Sequence, residues 1–125
     1  MYSFLGLKNS ARDAAQSLVG SYAQARSGAM SNTLAYRLVY DSGVVRLETS
    51  LSCSDLTGWN VKDASLFTVP PDVTLTTAAP GGVVVCYTSR GVATDGSDVT
   101  LVDAKNHSFT LRSYMGGAVR MLNNA

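Results

Sequence analysis

A chain of 125 residues with 46% hydrophobic and only 15% charged residues has room for one domain around one core, and its balance is the reverse of a disordered segment's. A net charge of +1 and a pI near 7.8 exclude a strongly basic nucleic-acid coat and leave only a local basic patch open. Thr, Ser, Val, Gly and Ala are abundant while Lys and Glu are scarce, a composition common among exported β-rich domains.

The periodicity changes near residue 32. From Leu7 to Met30 the residues Leu7, Ala11, Ala14, Leu18, Tyr22, Ala25 and Ala29 follow one another in steps of three and four, one stripe of a 3.6-residue helix. Lys8, Arg12, Gln16 and Arg26 occupy its other side. The alanines between Ala11 and Ala25 supply helix propensity, whereas Gly20 and Gly28 each weaken the helix by roughly 1 kcal/mol relative to alanine. Ser31-Asn32 is the predicted stop. The stripe is rich in small residues, so something lies close against it, and a sheet is the expected cover.

Beyond Asn32 the pattern turns to alternation and β-branched runs. Thr33–Tyr40 and Val44–Leu51 read as a hairpin around Asp41-Ser42-Gly43. Ser54–Ala64 is irregular, and Leu66–Val69 is a short strand ending at Pro70-Pro71, which cannot continue a ladder. Val73–Thr77, Val83–Thr88, Val99–Val102, Ser108–Tyr114 and Ala118–Leu122 are further strands, and Gly91–Ser97 is a loop. The reading is α+β: a long N-terminal helix, residues 1–32, packed on antiparallel sheet built from seven or eight short strands of a β-rich head, residues 33–125.

Cys53 and Cys86 belong to no CxxC or Cys/His spacing, which argues against zinc. Each sits in a strand-like stretch. In an oxidising compartment they bridge, closing a loop of about 34 residues worth roughly 3–4 kcal/mol. In a reducing one they pack as small buried hydrophobes. No apolar run approaches the ~18 residues of a membrane helix, and Met1 to Leu7 is too short for the apolar part of a signal peptide. We therefore expect the native N-terminus to lie upstream of Met1.

Ser3-Phe4-Leu5-Gly6-Leu7-Lys8-Asn9-Ser10-Ala11-Arg12-Asp13 resembles the stretch just beyond the hydrophobic spine of type IV pilins. Leu18 through Ala25-Arg26-Ser27-Gly28-Ala29-Met30, followed at once by a strand, resembles the helix end of GspH/FimT-type minor pseudopilins. Val83–Tyr87, a loop containing Gly91, paired strands and Gly117-Ala118-Val119-Arg120 resemble that family's closing pattern. The likeness covers roughly residues 3–40 and 83–122. The prepilin cleavage site, the glutamate that follows it and the apolar spine are absent, so the resemblance implies that they precede Met1.

The resemblance implies a non-catalytic subunit of a type IV pilus or type II secretion pseudopilus, acting in assembly, in initiation or at the tip. It implies an inner-membrane anchor in the missing N-terminal segment, with the head in the periplasm or on a cell-surface pilus. Other pilin or pseudopilin subunits are then its partners, met through the helical stripe. No cofactor is implied. Some FimT-like pilins bind DNA through a C-terminal Gly-Arg-x-Arg-like element, which Gly117-Ala118-Val119-Arg120 matches in part. On that alternative Lys105, Arg112 and Arg120 form a small phosphate-binding cluster acting in DNA uptake. Against this stands the plainer reading of solvated strand residues.

Other chemistry finds little support. The only histidine, His107, stands in the turn Lys105-Asn106-His107-Ser108, a poor place for a general base, and no nucleophile elbow, Walker loop or HExxH occurs. Asp95-Gly96-Ser97-Asp98 supplies too few carboxylates for a calcium loop and reads as a turn. Trp59, Tyr36, Tyr40, Tyr87 and Tyr114 read as core and cross-strand packing.

Overall fold

The computed structural model describes residues 9–94 and 96–124. Helix α1 spans Ser10–Asn32. The Asn9 side chain accepts the Arg12 N–H at 3.0 Å, satisfying one of the helix's orphan donors. At the other end Thr33 adopts a left-handed conformation with φ of 55°, and the Leu34 N–H donates to the Ala29 carbonyl at 3.2 Å. That is a Schellman-type closure, at the stop read from Ser31-Asn32.

Nine strands follow among the described residues: β1 (Ala35–Asp41), β2 (Val44–Ser50), β3 (Asn60–Thr68), β4 (Val73–Thr77), β5 (Val83–Tyr87), β6 (Ala93–Thr94), β7 (Val99–Asp103), β8 (Ser108–Ser113) and β9 (Val119–Asn123). They form two antiparallel sheets, one of five strands in the order β3-β2-β1-β5-β6 and one of four in the order β4-β7-β8-β9. The hairpin β1–β2 turns through Ser42 and Gly43, both at positive φ, as a two-residue loop matched to strand twist requires.

Three differences from the sequence reading have physical causes. The latter part of the irregular stretch, from Asn60, and the short strand around Leu66 form one nine-residue strand, β3. It lies at a sheet edge and its pairing with β2 shifts register twice, which erases the alternation. Within the loop Gly91–Ser97, two residues are drawn into β6 by pairing with Cys86 and Tyr87. Tyr114, read as packing, lies beyond β8 and is 40% exposed.

Helix α1 contributes Ala11, Ala14, Ala15, Leu18, Tyr22, Ala25 and Ala29 to one core, shared with Leu38, Leu47 and Val85 of the first sheet and Val99, Leu101 and Leu111 of the second. The alanines bury little area each, but they let the helix axis approach both sheets. Leu18 and Tyr22 then fill the space, each burial being worth roughly 1.5–3 kcal/mol. Gly28 serves the same closeness: a Cβ there would run into the Tyr36 ring. The Tyr36 hydroxyl in turn accepts from the Asn32 side chain at 2.7 Å.

Candidate functional site

The stripe assigned to filament packing faces inward. Ala11, Ala14, Leu18, Tyr22 and Ala25 are all 3% exposed or less, covered by the chain's own sheets, while Leu7 lies outside the described residues. This corrects the expectation that these side chains meet a neighbouring subunit. The amphipathic period marks the helix's intramolecular face, and the residues left for a partner are mostly polar or small, among them Gln16, Ser17, Gly20, Ala23, Gln24 and Ser27, with the exposed Met30 near the helix end. No described helix is long and apolar enough to cross a membrane.

The three basic candidates do not gather. Arg112 and Arg120 are direct cross-strand partners on β8 and β9, on the face turned away from the core. Lys105 sits in the β7–β8 turn, at the opposite end of that hairpin from Arg112. The intervening strand of β8 holds the two apart by more than about 13 Å. Arg112 is also engaged: its Nη2 donates to Asp98 Oδ2 at 2.8 Å and its Nε to Asp98 Oδ1 at 3.1 Å. The Asp98 carboxylate holds the guanidinium pKa above its ordinary value, and Arg112 holds the Asp98 pKa below its own. Asp98 is thereby an ion-pair partner, and Asp95 of the calcium-like turn lies outside the described residues.

Cys53 and Cys86 form the disulfide, with Cα atoms 5.9 Å apart. It fastens the β2–β3 connection onto β5. Beneath that connection lies a network the sequence reading missed. Glu48 is buried, with Arg46 Nε donating to its Oε2 at 2.6 Å and Arg37 Nε to its Oε1 at 2.7 Å. The Arg37 guanidinium lies 3.9 Å from the Trp59 ring centroid, and Trp59 Nε1 donates to the Asp55 carbonyl at 2.8 Å. The signal was present, because the two-residue turn at Ser42-Gly43 sets the register that pairs Arg37 with Glu48.

His107 belongs to a structural tie. Asp103, 6% exposed, accepts from the backbone of Ala11, Lys105 and His107, and its Oδ2 lies 3.0 Å from His107 Nδ1. Burial pushes its pKa up, but these donors outweigh burial and hold the carboxyl down at about 2. The carboxylate fastens the first turn of α1 to the β7–β8 turn. Among the described residues no hydroxyl or thiol hydrogen-bonds the His107 ring, and no group of His, Cys, Asp and Glu has the arrangement of a metal site.

A groove of about 470 Å³ runs between α1 and β9, lined by Val19, Ala23, Arg26, Ser27, Tyr87 and Val119 among others. Arg26 Nε donates to the Gly91 carbonyl at 2.9 Å, and Gly117, at φ of 98°, leaves room for that side chain. The Tyr87 hydroxyl is buried without a hydrogen-bond partner among the described residues, and burial pushes its pKa up to about 12.

A leading helix laid on two antiparallel sheets that follow it wholly in sequence is an α+β fold of the pilin-like kind. Comparison with solved structures finds that fold in the minor pseudopilin EpsH from the type 2 secretion system of Vibrio cholerae, at a TM-score of 0.67. The match covers 92% of this chain and 98% of that one at 16% sequence identity. No family model and no curated protein sequence matches the chain.

Proposed function

We propose that the chain is the head of a non-catalytic minor pilin or pseudopilin, a subunit of a type II secretion pseudopilus or type IV pilus that acts in its assembly, in its initiation or at its tip. The observation that carries this is the fold likeness to a minor pseudopilin over nearly the whole of both chains. The Cys53–Cys86 bridge adds to it, since such bonds persist in oxidising compartments such as the periplasm. On this reading an apolar spine upstream of Met1 anchors the subunit in the inner membrane and joins it to other pilin or pseudopilin subunits. The head stands in the periplasm or on the surface pilus.

Deletion of the gene in the source organism, with secreted enzymes and surface filaments assayed separately, tests the reading. Loss of either, restored by the full-length gene, supports it. Normal secretion together with normal filaments overturns it.

DNA capture is the second reading, favoured by the juxtaposition of Arg112 and Arg120 on one face. It is the weaker one, because Asp98 neutralises Arg112 and Lys105 lies at the other end of the hairpin. In a gel shift with double-stranded DNA at low salt, we expect no binding by the head. Salt-sensitive binding lost in an Arg112→Ala/Arg120→Ala double variant would promote the DNA reading.

A further inference from the structure

We propose that β9 is a docking edge that takes an extended, acidic segment of another protein chain, seated in the groove beside α1. The inference goes beyond the filament reading and rests on the chemistry of the edge, which is the same whatever the chain assembles into.

An edge strand of a sheet can present peptide groups that no neighbouring strand pairs, and proteins blunt such edges with charge, proline, bulges or brevity. Three of the four edges here carry a device of that kind. Strand β3 bears Lys62 and Asp63 and shifts register twice. Strand β4 runs between Pro71 and Pro80 with the polar Thr74 and Thr76 outward. Strand β6 has only two residues. Strand β9 carries only a single charge, Arg120, with no proline, bulge or register shift within it, and pairs with β8 over all five residues.

The polarity of its backbone is readable. Asn124 N–H donates to the Ser108 carbonyl and Tyr114 N–H to the Ala118 carbonyl, so the even-numbered residues between them turn their peptide groups toward β8. Val119 and Met121 turn theirs outward, where no described strand pairs with them. A strand added there lies along the groove. Its inward side chains meet Val19, Ala23 and Ser27, a second stripe of α1 at helical spacing beside the buried one.

Charge selects the segment. Across the outward face the side chains run Asp98, Arg112, Arg120, two cations to one carboxylate, with like charges directly opposed on β8 and β9. The next position in that row is the added strand's, and a carboxylate there completes the alternation. The lining residues hold Arg26 and no acidic residue.

The test uses two synthetic peptides of about ten residues, valine alternating with glutamate in one and with lysine in the other. Each is titrated into the protein while hydrogen exchange at the Val119 and Met121 amides is followed. The glutamate peptide is expected to protect both amides and to bind at least about tenfold more tightly than the lysine peptide. Arg120→Glu, at an exposed position, reverses that preference. Met121→Pro, which removes an outward N–H and leaves the bonds to β8 intact, abolishes protection. No protection by either peptide, equal binding of both, or protection at another edge overturns the proposal. Protection without peptide that grows with protein concentration assigns the edge to a second copy of the chain and overturns the acidic occupant.

Discussion

Gly20 and Gly28 stand on the same helix, yet alanine substitution at the two is expected to have opposite signs. At Gly20 a Cβ meets nothing within 4 Å. Gly20→Ala therefore gains helix propensity and raises stability by about 0.5–1 kcal/mol. At Gly28 the same atom collides with the Tyr36 ring, and displacing an aromatic wedged between helix and sheet outweighs the gain. Gly28→Ala is expected to lower stability by about 1–2 kcal/mol. Urea denaturation of both variants measures the two signs. Glu48 is the other residue with large leverage. Glu48→Ala leaves the Arg37 and Arg46 guanidinium groups without their shared carboxylate and is expected to lower stability by about 2–3 kcal/mol.

The pH dependence of stability follows from the same residue and from Asp103. Burial pushes the Glu48 carboxyl up, but the hydrogen bonds from Arg46 and Arg37 outweigh it and leave the folded pKa below the ordinary 4.5. Asp103 is held at about 2. The unfolded chain thus takes up these protons at higher pH than the folded one. The stability the two carboxylates contribute is fully present above their ordinary range and is lost as pH falls through it toward about 2. A melting temperature steady near neutrality and falling below about pH 4 is the expected profile. Glu48→Gln should flatten part of the fall.

Among the elements, the β2–β3 connection depends most on a covalent bond. It leaves β2 at an exposed Leu51, carries the fully exposed Leu56 and returns at Trp59, with few apolar side chains turned inward. A Cys53→Ser/Cys86→Ser variant is expected to lose roughly 3–4 kcal/mol and to show faster hydrogen exchange across residues 51–59 with the helix unchanged. The helix itself was legible in the sequence because a stripe of period 3.6 reports burial whichever sheet supplies it. The β1–β2 hairpin was legible because its turn is local, and that turn carried the register of the Arg37–Glu48 pair as well. What stayed hidden depends on contacts distant in sequence: the division of strands between two sheets, the pairing of β5 with β1, and the two residues of β6. The basic residues illustrate the limit. Arg112 and Arg120 were rightly placed on adjacent strands, but the Asp98 carboxylate that engages one of them comes from another loop. The groove beside β9 has no sequence signal, since it exists only where the last strand comes to lie along the first helix.

At the scale of the whole molecule, the inward stripe of α1 divides the labour of its two sides. Gly20→Arg adds a bulky charge to the solvent side, where there is open space. It is expected to leave the isolated head within about 0.5 kcal/mol of its normal stability and, on the filament reading, to reduce incorporation into the fibre. Equal incorporation of variant and normal chains in a full-length competition would count against that reading. The oily flank of the helix is mostly used up at home, and what it shows its surroundings is chiefly serine, glutamine, glycine and alanine, with Arg12 and Asp13 near its start and Met30 near its end. On the filament reading, such a surface behaves more as a bearing than as a glue, because neighbours that pack along it find few apolar side chains to grip.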